Sequence, residues 1–205
     1  MVVPQSFYEQ DARVVARAVI GMVLVRGPVA LRITEAEAYP PDDSASHCRM
    51  GRTPRNLPMW GPPGHAYVYL CYGMHRMLNL VTNPDGEGAA VLIRAAEPLR
   101  GLEEVATRRN GRRGPDALAG PGKVGAALDI GVGDSGCPLF RRRSGLVLEH
   151  GEEPTQLLVG PRVGIDYATP EDVAAPLRFA CGSSRSVSHR RTLERWSGTL
   201  VGMAE

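Results

Sequence analysis

Two short segments hold the residue types best suited to chemistry: ITEAEAY from Ile33 to Tyr39, and YVYLCYGMHRMLNL from Tyr67 to Leu80. Alternate residues of an extended strand share a face, so Glu35, Glu37 and Tyr39 stand side by side if this segment is a strand. Neighbouring carboxylates repel, and one of them can be held partly protonated or poised as a base, which is how acid–base sites are tuned. The same spacing describes two solvated glutamates on an edge strand, and spacing alone leaves both readings open. In the second segment Tyr67 and Tyr69 share a face, and Tyr72 precedes Gly73, where the chain must turn back into the apolar run Met77 to Val81. The pattern predicts a β-hairpin with an aromatic side chain at its tip. In a chain with only 5% aromatic residues, such a tip costs solubility unless it inserts into something, and a stacked nucleic-acid duplex is one such thing.

Other chemistries find less support. His47, Cys48, His65, Cys71 and His75 fall close together in sequence, but their spacing fits no structural zinc pattern, so no metal or other cofactor is expected. There is no GxSxG elbow around a nucleophilic serine. Lys123 is the only lysine, which argues against Schiff-base catalysis. The remaining basic residues are arginines, suited to forking onto phosphates. They cluster at Arg49, Arg52 and Arg55, at Arg108, Arg109, Arg112 and Arg113, at Arg141 to Arg143, and at Arg185, Arg190 and Arg191. Each cluster alone reads equally as a solvated face; beside an aromatic hairpin tip they outline a duplex footprint. Gly120-Pro121-Gly122-Lys123, ahead of a short helix, offers backbone N–H groups to an anion.

The elements that position these residues follow from the apolar pattern. A chain of 205 residues, 43% hydrophobic and 22% charged with net charge +2, is ordinary globular composition, and it reads as one domain over residues 1–205. It shows neither a membrane-length apolar run nor an export leader, and its four scattered cysteines suit a reducing cytosol. Asp11 can cap a helix running to about Ile20, with Gly21 as the stop. Strands are expected at Met22–Arg26, Ala30–Tyr39, Ala89–Ala95, Leu146–Leu148, Gln156–Val159 and Pro176–Phe179, and helices at Leu102–Arg109 and from Gly120 to about Asp129. The long loop Pro40–Gly64 is too long to be a mere connection. Strands outnumber helices, so the fold class is α+β.

Several of these segments occur together in one known family. TEAEAY, Ser46-His47, GRTPRN from Gly51 to Asn56, PPGHAYVYLCYGMH up to His75, Asn79, VLIRAAEPL from Val91 to Leu99 and GPGKVGAALDI from Gly120 resemble the alkyladenine (3-methyladenine) DNA glycosylases. The resemblance runs from about Phe7 to Phe179. It implies a single mixed domain around a curved antiparallel β-sheet with flanking helices and a protruding β-hairpin, and no helix-hairpin-helix. It implies a monofunctional hydrolase that flips damaged purines out of double-stranded DNA and cleaves their N-glycosidic bond, acting as a monomer in a bacterial cytoplasm, at the nucleoid. The alternative is a nucleic-acid-binding module without catalysis. By the resemblance, Glu37 is the general base and Arg94 supports the water and phosphate side of the site. Tyr39, His47 and Tyr69 stack on the base, Asn79 screens its exocyclic group, Tyr72 fills the gap left in the duplex, and Arg52, Arg55 and Lys123 touch the DNA backbone.

Overall fold

The computed structural model describes residues 1–198. In chain order the elements are α1 (Ala12–Ala18), β1 (Val23–Arg26), β2 (Val29–Tyr39), β3 (Ala66–Cys71), β4 (His75–Val81), β5 (Ala90–Arg100), α2 (Leu102–Arg108), α3 (Pro121–Leu128), β6 (Leu146–Glu149), β7 (Leu157–Gly160), α4 (Pro170–Ala174), β8 (Arg178–Cys181) and β9 (Glu194–Arg195). The nine strands form one antiparallel sheet in the order β3-β4-β5-β2-β8-β7-β9, with β1 pairing β2 and β6. The α+β class and the antiparallel sheet read from the sequence are both present.

The 11-residue strand β2 is the axis of this sheet. It pairs with β1 through Val29–Arg32, with β5 along most of its length, and with β8 through Glu35–Glu37. The edge-strand reading of the two glutamates is therefore wrong: both side chains are fully buried. The β2–β5 register slips on either side of Glu35, which pairs with Ala95 while Ala36 pairs with Ile93. Arg94 is left without a Cα partner in that register, and such bulges re-aim a side chain next to a site.

Asp11 caps α1 by accepting from the Arg13 N–H at 2.7 Å, and Val15 and Ala16 face the core. The helix stops at Ala18, earlier than expected, because Gly21 must approach residue Glu152 so closely that a Cβ would lie 2.0 Å from its carbonyl oxygen. Strand β5 runs on past Ala95 through Pro98, a residue that reads as a breaker in sequence, and Pro98 sits opposite Leu31. The Arg/Ser-rich segment after Cys181 is no loose tail. Ser184, Ser186 and Val187 are buried, and β9 pairs with β7. The late strand runs from Arg178 to Cys181 rather than ending at Phe179, since Pro176 cannot donate to a ladder.

At the hairpin tip Met74 N–H bonds the Cys71 carbonyl at 3.1 Å, with Tyr72 and Gly73 between them at φ 50° and 70°. Positive φ at both central residues matches the right-handed twist of the flanking strands. Helix α3 presses against β4: a Cβ on Gly125 would lie 2.1 Å from the Arg76 carbonyl oxygen. Gly125→Ala should therefore push α3 off the hairpin base and destabilise the fold by about 1–3 kcal/mol, visible as a melting temperature lower by several degrees in a thermal scan.

Candidate active site

One cavity of about 220 Å³ opens beside the hairpin, and Tyr39, His47, Tyr69, Tyr72, Asn79 and Arg94 all border it. Each wall has a separate origin. Tyr39 ends β2, Tyr69 and Asn79 face each other across the β3–β4 hairpin, and Arg94 comes from the bulge of β5. His47 comes from the long loop, which Asn56 staples by donating to the His47 carbonyl at 2.8 Å and the Gly51 carbonyl at 2.9 Å. The other side of that loop is pinned to the segment before α4. Ser44 and Thr169 both bond the Asp172 carboxylate, Tyr167 donates to the Ala45 carbonyl at 2.8 Å, and buried Arg162 pairs with buried Asp43.

The rings are ordered among themselves. His47 lies 4.5 Å from Tyr69 and 6.1 Å from Tyr67, both edge-on, and its Nδ1 is 3.0 Å from the Tyr67 hydroxyl. Burial, aided by Arg55 and Arg49, lowers the His47 pKa, so the imidazole stays neutral near pH 7. Burial raises Tyr67 to about 12 and carries Tyr69 higher still, keeping both phenols protonated. Several rings also carry a guanidinium. Arg162 sits 4.9 Å from the Tyr39 centroid, Arg55 5.7 Å from Tyr69, and Arg49 5.0 Å from Tyr167.

Glu37 does not border the cavity; it lies beneath Tyr39 and Arg94, fully buried. Its Oε1 accepts from the Val163 N–H at 2.8 Å and faces Arg94 Nη1 at 3.3 Å, and its Oε2 accepts from the Tyr39 hydroxyl at 2.9 Å. Burial first, and then the Glu37 charge, push the Tyr39 pKa well up, so the phenol remains a donor. Glu35 is held otherwise. Arg178 Nη1 reaches its Oε1 at 2.8 Å, Arg94 Nε lies at 3.3 Å, and Ser188 supplies its N–H at 2.7 Å and its hydroxyl at 2.9 Å. Burial acts against the Arg94 cation, but the two glutamates outweigh it and raise its pKa, so Arg94 is charged between them.

Among the remaining sequence candidates, Arg52 and Arg55 are exposed on the loop outside the cavity, with Arg52 stacked 5.0 Å from Trp60. Lys123 lies outside the base cavity, its ammonium donating to the Asp116 carbonyl at 2.9 Å. Tyr72 is 89% exposed and does not pack back on the sheet. Sequence reasoning misses Tyr67, Tyr167, Val163, Arg162, Arg178 and Ser188. Tyr67 is visible as part of the alternating tyrosines, and Arg178 as a charge in the apolar run PLRF; the others are placed by loops without periodic signal. Arg190, which by sequence groups with the DNA-facing arginines, donates to the carbonyls of Ser184 and Gly182 and so builds the fold. Among the described residues no cluster of three or more His, Cys, Asp or Glu side chains is placed to hold a metal ion, and no helix is long and apolar enough to cross a membrane.

A buried carboxylate and guanidinium under a slot of aromatic rings, beside an exposed hairpin aromatic, is a hydrolytic site built around one planar ring. Residues 6–185 match the family model described as methylpurine-DNA glycosylase. The chain is 49% identical over 186 residues to the DNA-3-methyladenine glycosylase of Arabidopsis thaliana, covering 90% of this chain and 73% of that one. It is 50% identical over 192 residues to a Nitrosococcus oceani protein that carries a provisional 3-methyladenine DNA glycosylase name, covering 93% and 95%. A Methanocella arvoryzae protein of the same provisional name is 44% identical over 195 residues, covering 92% and 96%. The chain belongs to the methylpurine-DNA glycosylase family, and with it to the DNA repair hydrolases that cleave N-glycosidic bonds.

Two outcomes follow from the site's electrostatics. Glu35→Gln leaves Arg178 and Arg94 short of a buried counter-charge, and losing one partner of a buried pair costs about 3–5 kcal/mol; chemical denaturation should show a loss of that size. His47 resists protonation in the folded state, so stability is full above the unfolded value of about 6.5 and falls as pH drops through it. A His47→Gln variant should lose that segment of the stability-versus-pH curve between about pH 7 and 5.

Proposed function

We propose that this protein is a monofunctional glycosylase that extrudes an alkylated or otherwise damaged purine from duplex DNA into the aromatic cavity and hydrolyses its N-glycosidic bond, leaving an abasic site. It works as a monomer on cytoplasmic, nucleoid DNA. The observation that carries this reading is Glu37, a buried carboxylate directly under the slot with one oxygen, Oε2, bonded only to Tyr39. The free lone pair on Oε2 is the place for a water. Arg94 and the Val163 N–H hold Oε1, which fixes the plane of the carboxylate.

The chemistry uses these groups in order. A base inside a duplex is out of reach of a nucleophile, so it must be flipped out, and Tyr72 fills the gap. A cationic alkylpurine between Tyr39 and Tyr69 gains ring-face attraction of about 0.5–2 kcal/mol, less on Tyr39, because Arg162 already occupies one face of that ring. Asn79 Nδ2 is committed to the carbonyls of Tyr67 and Met77 at 3.2 and 3.4 Å, so its oxygen is the atom left to meet the base's exocyclic group. As the bond to the base breaks, the sugar gains oxocarbenium character. Glu37 then stabilises that charge and takes a proton from the attacking water, as carboxylates do in glycoside hydrolysis. The damaged purine departs as an already good leaving group. Lys123, the only lysine, stands outside the cavity, which supports hydrolysis without a Schiff-base adduct.

Glu37→Gln keeps the shape and the Val163 bond but cannot accept the proton. Single-turnover release of free 3-methyladenine from a lesion duplex should fall by several orders of magnitude while lesion-duplex affinity changes little; retained turnover in this variant sinks the assignment. Tyr72→Ala should weaken excision most for a lesion in a fully paired duplex and least for one opposite a mismatch, where less unpairing remains to be done. Equal fractional loss on both substrates would count against a gap-filling role.

A further inference from the structure

A second cavity lies beside the first and has no part in the base chemistry. Pro121 at the start of α3 borders the base cavity, and the next two residues, Gly122 and Lys123, border a separate cleft of about 300 Å³. Met74, His75, Arg76, Arg109, Arg112 and Lys123 wall this cleft, so it opens immediately behind the hairpin tip that carries Tyr72. Its position is rigid, because a Cβ on Gly122 would meet the His75 side chain at 2.9 Å, and α3 is seated against β4 there without a gap.

The charges around it are sorted by partner. Of the four arginines that follow one another at the end of α2, Arg108 pairs with Glu104 at 2.9 Å and Arg113 with Glu103 at 2.6 Å. The inner two, Arg109 and Arg112, have no carboxylate partner among the described residues, and neither do Arg76 and Lys123. Arg109 Nε donates to the Ala117 carbonyl at 3.0 Å and Lys123 Nζ to the Asp116 carbonyl at 2.9 Å. Backbone oxygens thus fix these two cations in the wall without cancelling them. Arg76 and Arg112 are exposed and cover no core. Four uncompensated cations converge on one cleft in a chain whose net charge is only +2, an arrangement that packing does not require and that an anion neutralises.

We propose that this cleft binds the phosphodiester backbone of the duplex next to the extruded nucleotide, with Arg76, Arg109, Arg112 and Lys123 on its phosphates. The inference rests on the glycosylase reading and adds a backbone clamp to it. Because Tyr72 and Met74 belong to the same turn, a backbone held in the cleft keeps the hairpin tip in register with the gap it fills. Binding at these phosphates is independent of the base in the slot, so it contributes equally to damaged and intact DNA.

The test is the salt dependence of duplex affinity. Removing one cation from a phosphate lowers the slope of log affinity against log salt by about one. The double variant Arg76→Gln/Arg112→Gln should lose about two from the slope on an undamaged duplex and bind roughly one to two orders of magnitude more weakly at about 0.1 M salt. Single-turnover excision at saturating enzyme should stay within about twofold. Arg100→Gln, at the far end of β5, should leave the slope unchanged. Neutral methylphosphonate linkages, placed singly on either side of the lesion in each strand, leave the protein intact. At one or two positions they should reproduce the slope loss in the wild type and add nothing in the double variant. An unchanged slope in the double variant, an equal loss in Arg100→Gln, or neutral linkages without position dependence overturns the clamp. A wild type that excises no base and shows no salt-dependent duplex binding overturns the glycosylase reading itself.

Discussion

The buried charge chain Arg178–Glu35–Arg94–Glu37 is the constraint on which the rest of the structure turns. Four ionised side chains in a region closed to water are tolerable only if every one is paired and hydrogen-bonded. The fold meets that condition by drawing partners from β2, β5, β8 and the segments near Val163 and Ser188. Glu35 has four donors and no lone pair to spare for chemistry. Glu37 has three, and one oxygen remains partly open toward the cavity side. Two glutamates two residues apart thus receive different work from their surroundings: one fixes the guanidinium that the other needs beside it.

That lattice explains why the sheet is irregular where it is. A regular β2–β5 ladder pairs every residue and sends Arg94 to a fixed face, whereas the bulge frees it to span both carboxylates, Nε to Glu35 and Nη1 to Glu37. It also explains the folding back of residues 182–198. Ser188 bonds Glu35 through both its backbone and its hydroxyl, and its hydroxyl also accepts from Arg94 Nη2 at 3.2 Å. A segment that reads as polar tail is in fact the lid over the charge chain.

The legibility of this protein in its sequence follows period and distance. Strands β1 to β5 are readable because their apolar residues alternate or run together, and Tyr67, Tyr69 and Tyr72 can be placed on the hairpin because Gly73 fixes the turn. The carboxylates can be found but not interpreted: the spacing of Glu35 and Glu37 is the same on an edge strand and on a central one, and only pairing with β5 and β8 decides between them. Arg178, Arg162 and Ser188 lie far along the chain from the residues they hold, at separations that no local pattern encodes. Arginine clusters mislead for a related reason. Sequence shows where charges gather but not which are already matched, so Arg108, Arg113 and Arg190 look equivalent to Arg109 and Arg112.

The base cavity joins a rigid floor to walls of a different kind. Its floor belongs to β2 and β5, fixed by the sheet and by buried ion pairs, while His47, Tyr167 and Val163 come from loops that hold one another through Ser44, Asp172, Arg162 and Asp43. Chemistry requires the first kind of support, because Glu37 must stand at a set distance from a bond that is breaking. Recognition of differently shaped purines tolerates the second, because rings on loops can shift by fractions of an ångström without disturbing the charge chain. Guanidinium groups stacked outside Tyr39, Tyr69 and Tyr167 limit how strongly those rings can attract a further cation. Shape therefore weighs more in this slot than the charge of the base, and discrimination against intact purines passes to the hydrogen bond at Asn79 and to the cost of flipping a well-paired nucleotide.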